Sequence, residues 1–115
     1  MNKFTIYHHA RCGKSRQTLA LLRENGIEPE IIEYVKTPPD FDTIVEVLKK
    51  LDIPAEKLVR KNEAIFKEKY SGEELSEKQF IQAMVDNPIL IERPIVIKDN
   101  KAVIGRPPEN INLLL

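Results

Sequence analysis

Between residues 3 and 35 the hydrophobic period of this chain changes twice, and that alternation narrows the fold more than any single residue does. Lys3-Phe4-Thr5-Ile6-Tyr7 alternates polar and apolar side chains, as a short strand does. From Lys14 the pattern turns helical, with Thr18, Leu19 and Leu22 on one stripe. This helix is expected to run to Asn25, with Gly26 as its stop. Pro29 to Val35 carries Ile31, Ile32, Tyr34 and Val35 and reads as a second strand. Strand, helix, strand in this order predicts a right-handed parallel crossover. Cys12-Gly13 falls at its first junction, where strand gives way to helix.

Thr37-Pro38-Pro39-Asp40 signals a second helix, with a capping hydroxyl, early prolines and an acid three residues on. Phe41, Ile44, Val45 and Leu48 then fall at i, i+3, i+4 and i+7. Pro54 to Asn87 reads as two or three short helices. Leu58 and Val59 lie in the first and Ile65 and Phe66 in the second, while Ser76-x-x-Gln79 caps the third. A hairpin follows: Ile95 to Lys98, a tight turn at Asp99-Asn100, and Lys101 to Gly105. Pro107-Pro108 opens a final short helix carrying Ile111, Leu114 and Leu115. This order predicts an α/β chain with a thioredoxin-like fold, a helical insertion between the second and third strands, and a single domain over residues 1–115.

Eighteen basic residues balance eighteen acidic ones, which argues against bulk affinity for nucleic acid. No stretch reaches the ~18 consecutive apolar residues of a membrane span, and no long apolar leader precedes the first strand. One cysteine cannot close an internal disulfide, so a reducing compartment, the cytoplasm, is expected.

That cysteine, Cys12, has two readings. Free N–H groups at a helix start, with Arg11, Lys14 and Arg16 nearby, favour a reactive thiolate; a buried inert thiol is the alternative. Spacing tests the familiar chemistries. A dithiol redox site needs a cysteine at 15, where Ser15 stands, and a phosphatase-type loop needs an arginine at 18, where Thr18 stands. Zinc wants about four soft ligands, against Cys12, His8 and His9 here, so no metal is expected. A papain-like dyad wants a distant histidine, and none follows His9. A single thiolate flanked by histidine and arginine remains, suited to attack on an oxyanion held by cations. Arg60, Arg93 and Arg106, each beside a break in the pattern, are candidate ligands or solvated surface groups. His8 is a charge partner for Cys12 or a packed strand end. Pro94 is a cis-proline facing the cysteine or a plain strand start.

Five ordered segments resemble the glutaredoxin-dependent arsenate reductase family, the ArsC family. They are Ile6-Tyr7-His8-His9-Ala10-Arg11-Cys12-Gly13-Lys14-Ser15-Arg16-Gln17-Thr18-Leu19, Ile31-Ile32-Glu33-Tyr34 with Pro38-Pro39, Val59-Arg60-Lys61-Asn62-Glu63, Asn87 through Val96, and Gly105-Arg106-Pro107-Pro108-Glu109. The resemblance implies that Cys12 attacks arsenate to form a thiol–arsenate adduct, that His8 helps hold the thiolate, and that Arg60, Arg93 and Arg106 bind the oxyanion. It also implies glutathione as co-substrate, glutaredoxin or thioredoxin as reductant, no bound cofactor, and a monomer. Where the family has Asn-Pro after its first histidine, this chain has His9-Ala10. A second reading on the same fold is an Spx-like regulator that binds RNA polymerase, although Ser15 removes the Cys-x-x-Cys switch many of those carry. Cys12-Gly13-Lys14-Ser15 also looks like the monothiol glutaredoxin motif, to which the arginine segments do not belong.

Overall fold

The computed structural model describes residues 3–115. These fall into two compact units: the residues up to Thr37 together with Arg93–Leu115, and the intervening Pro38–Glu92.

The first unit is built on a four-stranded sheet in the order β2-β1-β3-β4, formed by β1 (Phe4–His8), β2 (Glu30–Glu33), β3 (Ile95–Lys98) and β4 (Lys101–Ile104). β1 pairs parallel with β2 and antiparallel with β3, so Ile6 lies opposite both Ile31 and Val96. The crossover from β1 to β2 is α1 (Gly13–Glu24), after which Gly26 turns the chain at φ +77°, a conformation that glycine adopts without strain. Phe4, Ile6 and His8 are buried along β1 while Thr5 and Tyr7 are half-buried, the period-2 pattern that the sequence predicts. Phe4, Ile6 and Val96 of the sheet, Leu22 of α1, and Ile111 and Leu114 of the C-terminal 3-10 helix (Pro108–Leu114) form one buried cluster. Each such side chain contributes about 1.5–3 kcal/mol on burial. The cluster therefore clamps α1 to the sheet and fixes where the helix start lies relative to the strand ends.

The second unit holds α2 (Phe41–Leu51), a 3-10 turn (Ala55–Leu58), α3 (Ala64–Tyr70), α4 (Glu77–Asp86) and a second 3-10 turn (Pro88–Leu90). Ser76 and Gln79 form the expected reciprocal capping box on α4. Two local expectations are corrected. The cap of α2 is Asp40, whose carboxylate accepts from Thr43 N at 2.8 Å, and not the Thr37 hydroxyl; Pro38 and Pro39 lie ahead of the helix. Val59 leaves the helical turn and pairs with Ile91 as an isolated antiparallel bridge. That bridge is extended by Arg60 N donating to Leu90 O and by Glu92 N donating to Leu58 O, at 2.7 and 2.8 Å.

The architecture is α/β, a thioredoxin-like fold with the helices of Pro38–Glu92 inserted between the second and third strands. Among the described residues, no helix is long and apolar enough to cross a membrane.

Candidate active site

Cys12 is the N-cap of α1, in an extended conformation (φ −89°, ψ 121°), and its side chain is partly exposed. The loop from His9 to Cys12 folds back on itself: Cys12 N donates to His9 O at 2.9 Å. Two side chains from the first turn of α1 fasten it. Ser15, fully buried, accepts from His9 N at 3.0 Å, and its Oγ lies 2.6 Å from His8 Nδ1. Arg16 Nη1 donates to Ala10 O at 2.8 Å.

Burial holds the His8 imidazole below its ordinary pKa; the Glu33 carboxylate opposes this, and the charges of Arg16 and Arg23 reinforce it. His8 is therefore neutral near pH 7. A neutral ring accepting at Nδ1 lets the Ser15 hydroxyl donate to it while accepting from His9 N, which satisfies all three groups. His8 is thus tied to the cysteine loop through Ser15, and it brings no positive charge to the thiol.

The charge comes from elsewhere. Burial pushes the Cys12 thiol up, but four interactions outweigh it: the Ser15 N–H, a hydrogen bond from Arg93, the Arg106 charge and the Lys14 N–H. The net effect lowers the pKa below that of an ordinary thiol. Arg106 Nη2 stands 3.2 Å from Sγ, and the same guanidinium donates through Nε to Arg93 O at 2.7 Å. Arg93 is buried, an unusual place for an arginine that only solvates a surface. The Arg93–Pro94 bond is cis, and so is Arg106–Pro107. Cys12, Arg93 and Arg106 are thus gathered at one end of the sheet, where α1 begins, β3 begins and β4 ends. Such a group can hold an anion with two guanidinium forks while the sulfur faces its central atom.

Arg60 lies in the second unit. Its Nε donates to Glu63 at 3.2 Å and its Nη1 to Glu92 at 2.5 Å, both carboxylates being partly buried. Among the described residues, no group of three His, Cys, Asp or Glu side chains is placed to hold a metal ion.

The chain matches the ArsC family over residues 7–114. It belongs to that family. A 53% identical relative is the uncharacterized protein YfgD of Escherichia coli K12, matched over 92% of this chain and 91% of that protein. The arsenate reductase of Neisseria meningitidis serogroup A is 38% identical over the full length of both chains. Among solved structures, an arsenate reductase from Vibrio cholerae superposes with a TM-score of 0.95 at 38% identity, covering 99% of this chain and 98% of that one.

In the sequence of this ArsC chain Ser15 stands where a second cysteine would, and Thr18 lies on the helical stripe with Leu19 and Leu22. Both prove to be buried polar residues of α1, at i and i+3, with Leu22 completing the buried face. Two hydroxyls on the apolar stripe of an amphipathic helix were the available signal, because a buried hydroxyl needs a partner and the partner here is the site.

Proposed function

We propose that this protein is an arsenate reductase of the cytoplasm that uses glutathione and glutaredoxin. One observation carries the reading: an N-cap thiol, lowered in pKa, with the Arg106 guanidinium 3.2 Å from its sulfur and Arg93 hydrogen-bonded to it. That arrangement stabilises two successive charges, first the thiolate and then the oxyanion that it attacks.

In the proposed cycle the Cys12 thiolate displaces one oxygen of arsenate, which leaves as water after taking up protons, and an S–As bond forms. The remaining oxygens stay against Arg93 and Arg106. A glutathione thiolate then attacks Cys12 Sγ; the S–As bond breaks and its electron pair stays on arsenic. Arsenic gains two electrons and leaves as arsenite, while two thiols lose two and become the Cys12–glutathione mixed disulfide. Glutaredoxin resolves that disulfide by ordinary thiol–disulfide exchange. The reductase names of the Neisseria and Vibrio relatives support arsenate as the substrate. Family resemblance gives Arg60 the same anion-binding role, with its ion pairs to Glu63 and Glu92 as the competing partners.

The test is an arsenate-reduction assay with glutathione plus glutaredoxin, run in parallel with thioredoxin. Arsenite formation that needs Cys12 and glutaredoxin is the expected result. Turnover with thioredoxin alone would overturn the choice of reductant, and no turnover with either would overturn the substrate.

A further inference from the structure

Thr18 lies on α1 between the cysteine and the core, fully buried although it is polar. Its Oγ1 is 2.9 Å from Lys14 O and 3.1 Å from Gly105 O. The first contact is the local back-bond open to any helical threonine. The second crosses to the end of β4. Gly105 N in turn donates to Pro94 O at 2.8 Å. A Cβ built on Gly105 would stand 2.7 Å from Thr18 Oγ1, 2.8 Å from Thr18 Cγ2 and 2.9 Å from Pro94 Cγ. Helix, strand end and the loop before β3 therefore meet at one point with no slack, and only glycine fits there.

That junction leads directly to the sulfur. The Gly105 carbonyl belongs to the same planar peptide group as the Arg106 N–H, so fixing the carbonyl fixes the plane from which Arg106 departs. Arg106 then reaches Arg93 O through Nε and Cys12 Sγ through Nη2. Arg93 immediately precedes Pro94, whose carbonyl holds Gly105. Cys12 itself rides on the start of the helix that carries Thr18. We propose that Thr18 is a positioning residue, which through the Gly105 peptide sets the spacing between Cys12 Sγ and the Arg106 guanidinium. The role rests on this geometry alone and holds whichever oxyanion the thiolate attacks.

The test compares Thr18→Val, which keeps the shape and removes the hydroxyl, with Thr18→Ser, which keeps the hydroxyl. The readout is the rate of Cys12 alkylation by iodoacetamide against pH, with a thermal melt on each variant. The charged groups facing the thiol are Arg93 and Arg106. With the guanidinium no longer held against the sulfur, the midpoint of the Thr18→Val profile should move up and alkylation at pH 7 should slow about three- to tenfold. Thr18→Ser should follow the native profile. A folded Thr18→Val variant with the native midpoint would overturn the proposal, as would a Thr18→Ser variant shifted as far as Thr18→Val. If the valine variant does not fold, Thr18→Ala in a stabilising osmolyte supplies the same comparison. No arsenate is present in this experiment, so its failure leaves the reductase reading standing, and failure of the reductase assay leaves this geometry standing.

Discussion

Replacing Arg106 by alanine removes a positive charge whose Nη2 sits 3.2 Å from the Cys12 sulfur. At that separation two unit charges interact by about 5 kcal/mol at an effective dielectric near 20, and by about 1.3 kcal/mol in bulk water. Cys12 is partly exposed and the guanidinium charge is spread over three nitrogens, so the lower end applies. A loss of about 1–2 kcal/mol corresponds to a five- to thirtyfold fall in the thiolate-to-thiol ratio at fixed pH. The pH dependence of iodoacetamide alkylation reads this ratio directly, because only the thiolate reacts. Arg106→Ala should move the midpoint up, while the N–H groups of Ser15 and Lys14 and the Arg93 hydrogen bond go on favouring the thiolate. Arg106→Lys should fall between, since an ammonium cannot bond Arg93 O and Sγ from one planar fork. An Arg106→Ala protein that is folded and keeps the native midpoint would refute the claim that this arginine activates the thiol.

Ser15→Ala removes the shared partner of the part-buried His9 N–H and the buried His8 Nδ1 and should cost about 1–3 kcal/mol, read as a lower urea midpoint. For His8 the sign follows from its lowered pKa: the unfolded chain takes up a proton near pH 6.5 that the folded protein refuses until lower pH. His8's contribution is therefore complete above about pH 6.5 and is lost as pH falls toward the folded value. Urea midpoints measured from pH 7.5 down to 5 should drop more steeply for the native protein than for His8→Gln, and parallel curves would count against it. Arg60→Ala should lower arsenate turnover without moving the Cys12 alkylation midpoint, since Arg60 is not among the groups that lower the thiol's pKa. A shifted midpoint would show that Arg60 acts on the thiol itself.

The strand and helix order was legible in the sequence because β1, α1 and the hairpin each carry one clean hydrophobic period. Thr37 and Asp40 are both capping residues, so the sequence pattern starts α2 too early; the two prolines between them decide the matter, since the helix begins only after Asp40. Val59 reads as helical because an apolar residue after Leu58 fits either period, and its pairing with Ile91 depends on a segment 32 residues away. Within the site, Cys12 was legible from its junction position. The neutrality of His8 was not, because it follows from burial that no local pattern reports. The Gly105 contact with Thr18 and Pro94 was equally hidden, since it joins three distant segments through distances of a few ångströms.

In the proposed cycle arsenate oxidises Cys12 through a covalent step that glutathione completes. Intact-mass spectrometry of the protein incubated with arsenate and reduced glutathione, with glutaredoxin left out, tests it most directly. The expected result is one added glutathione, located at Cys12 by peptide mapping, that appears only when arsenate is present and is absent from Cys12→Ser. Arsenite released with no modification at Cys12, or an unmodified protein and no arsenite, would contradict it.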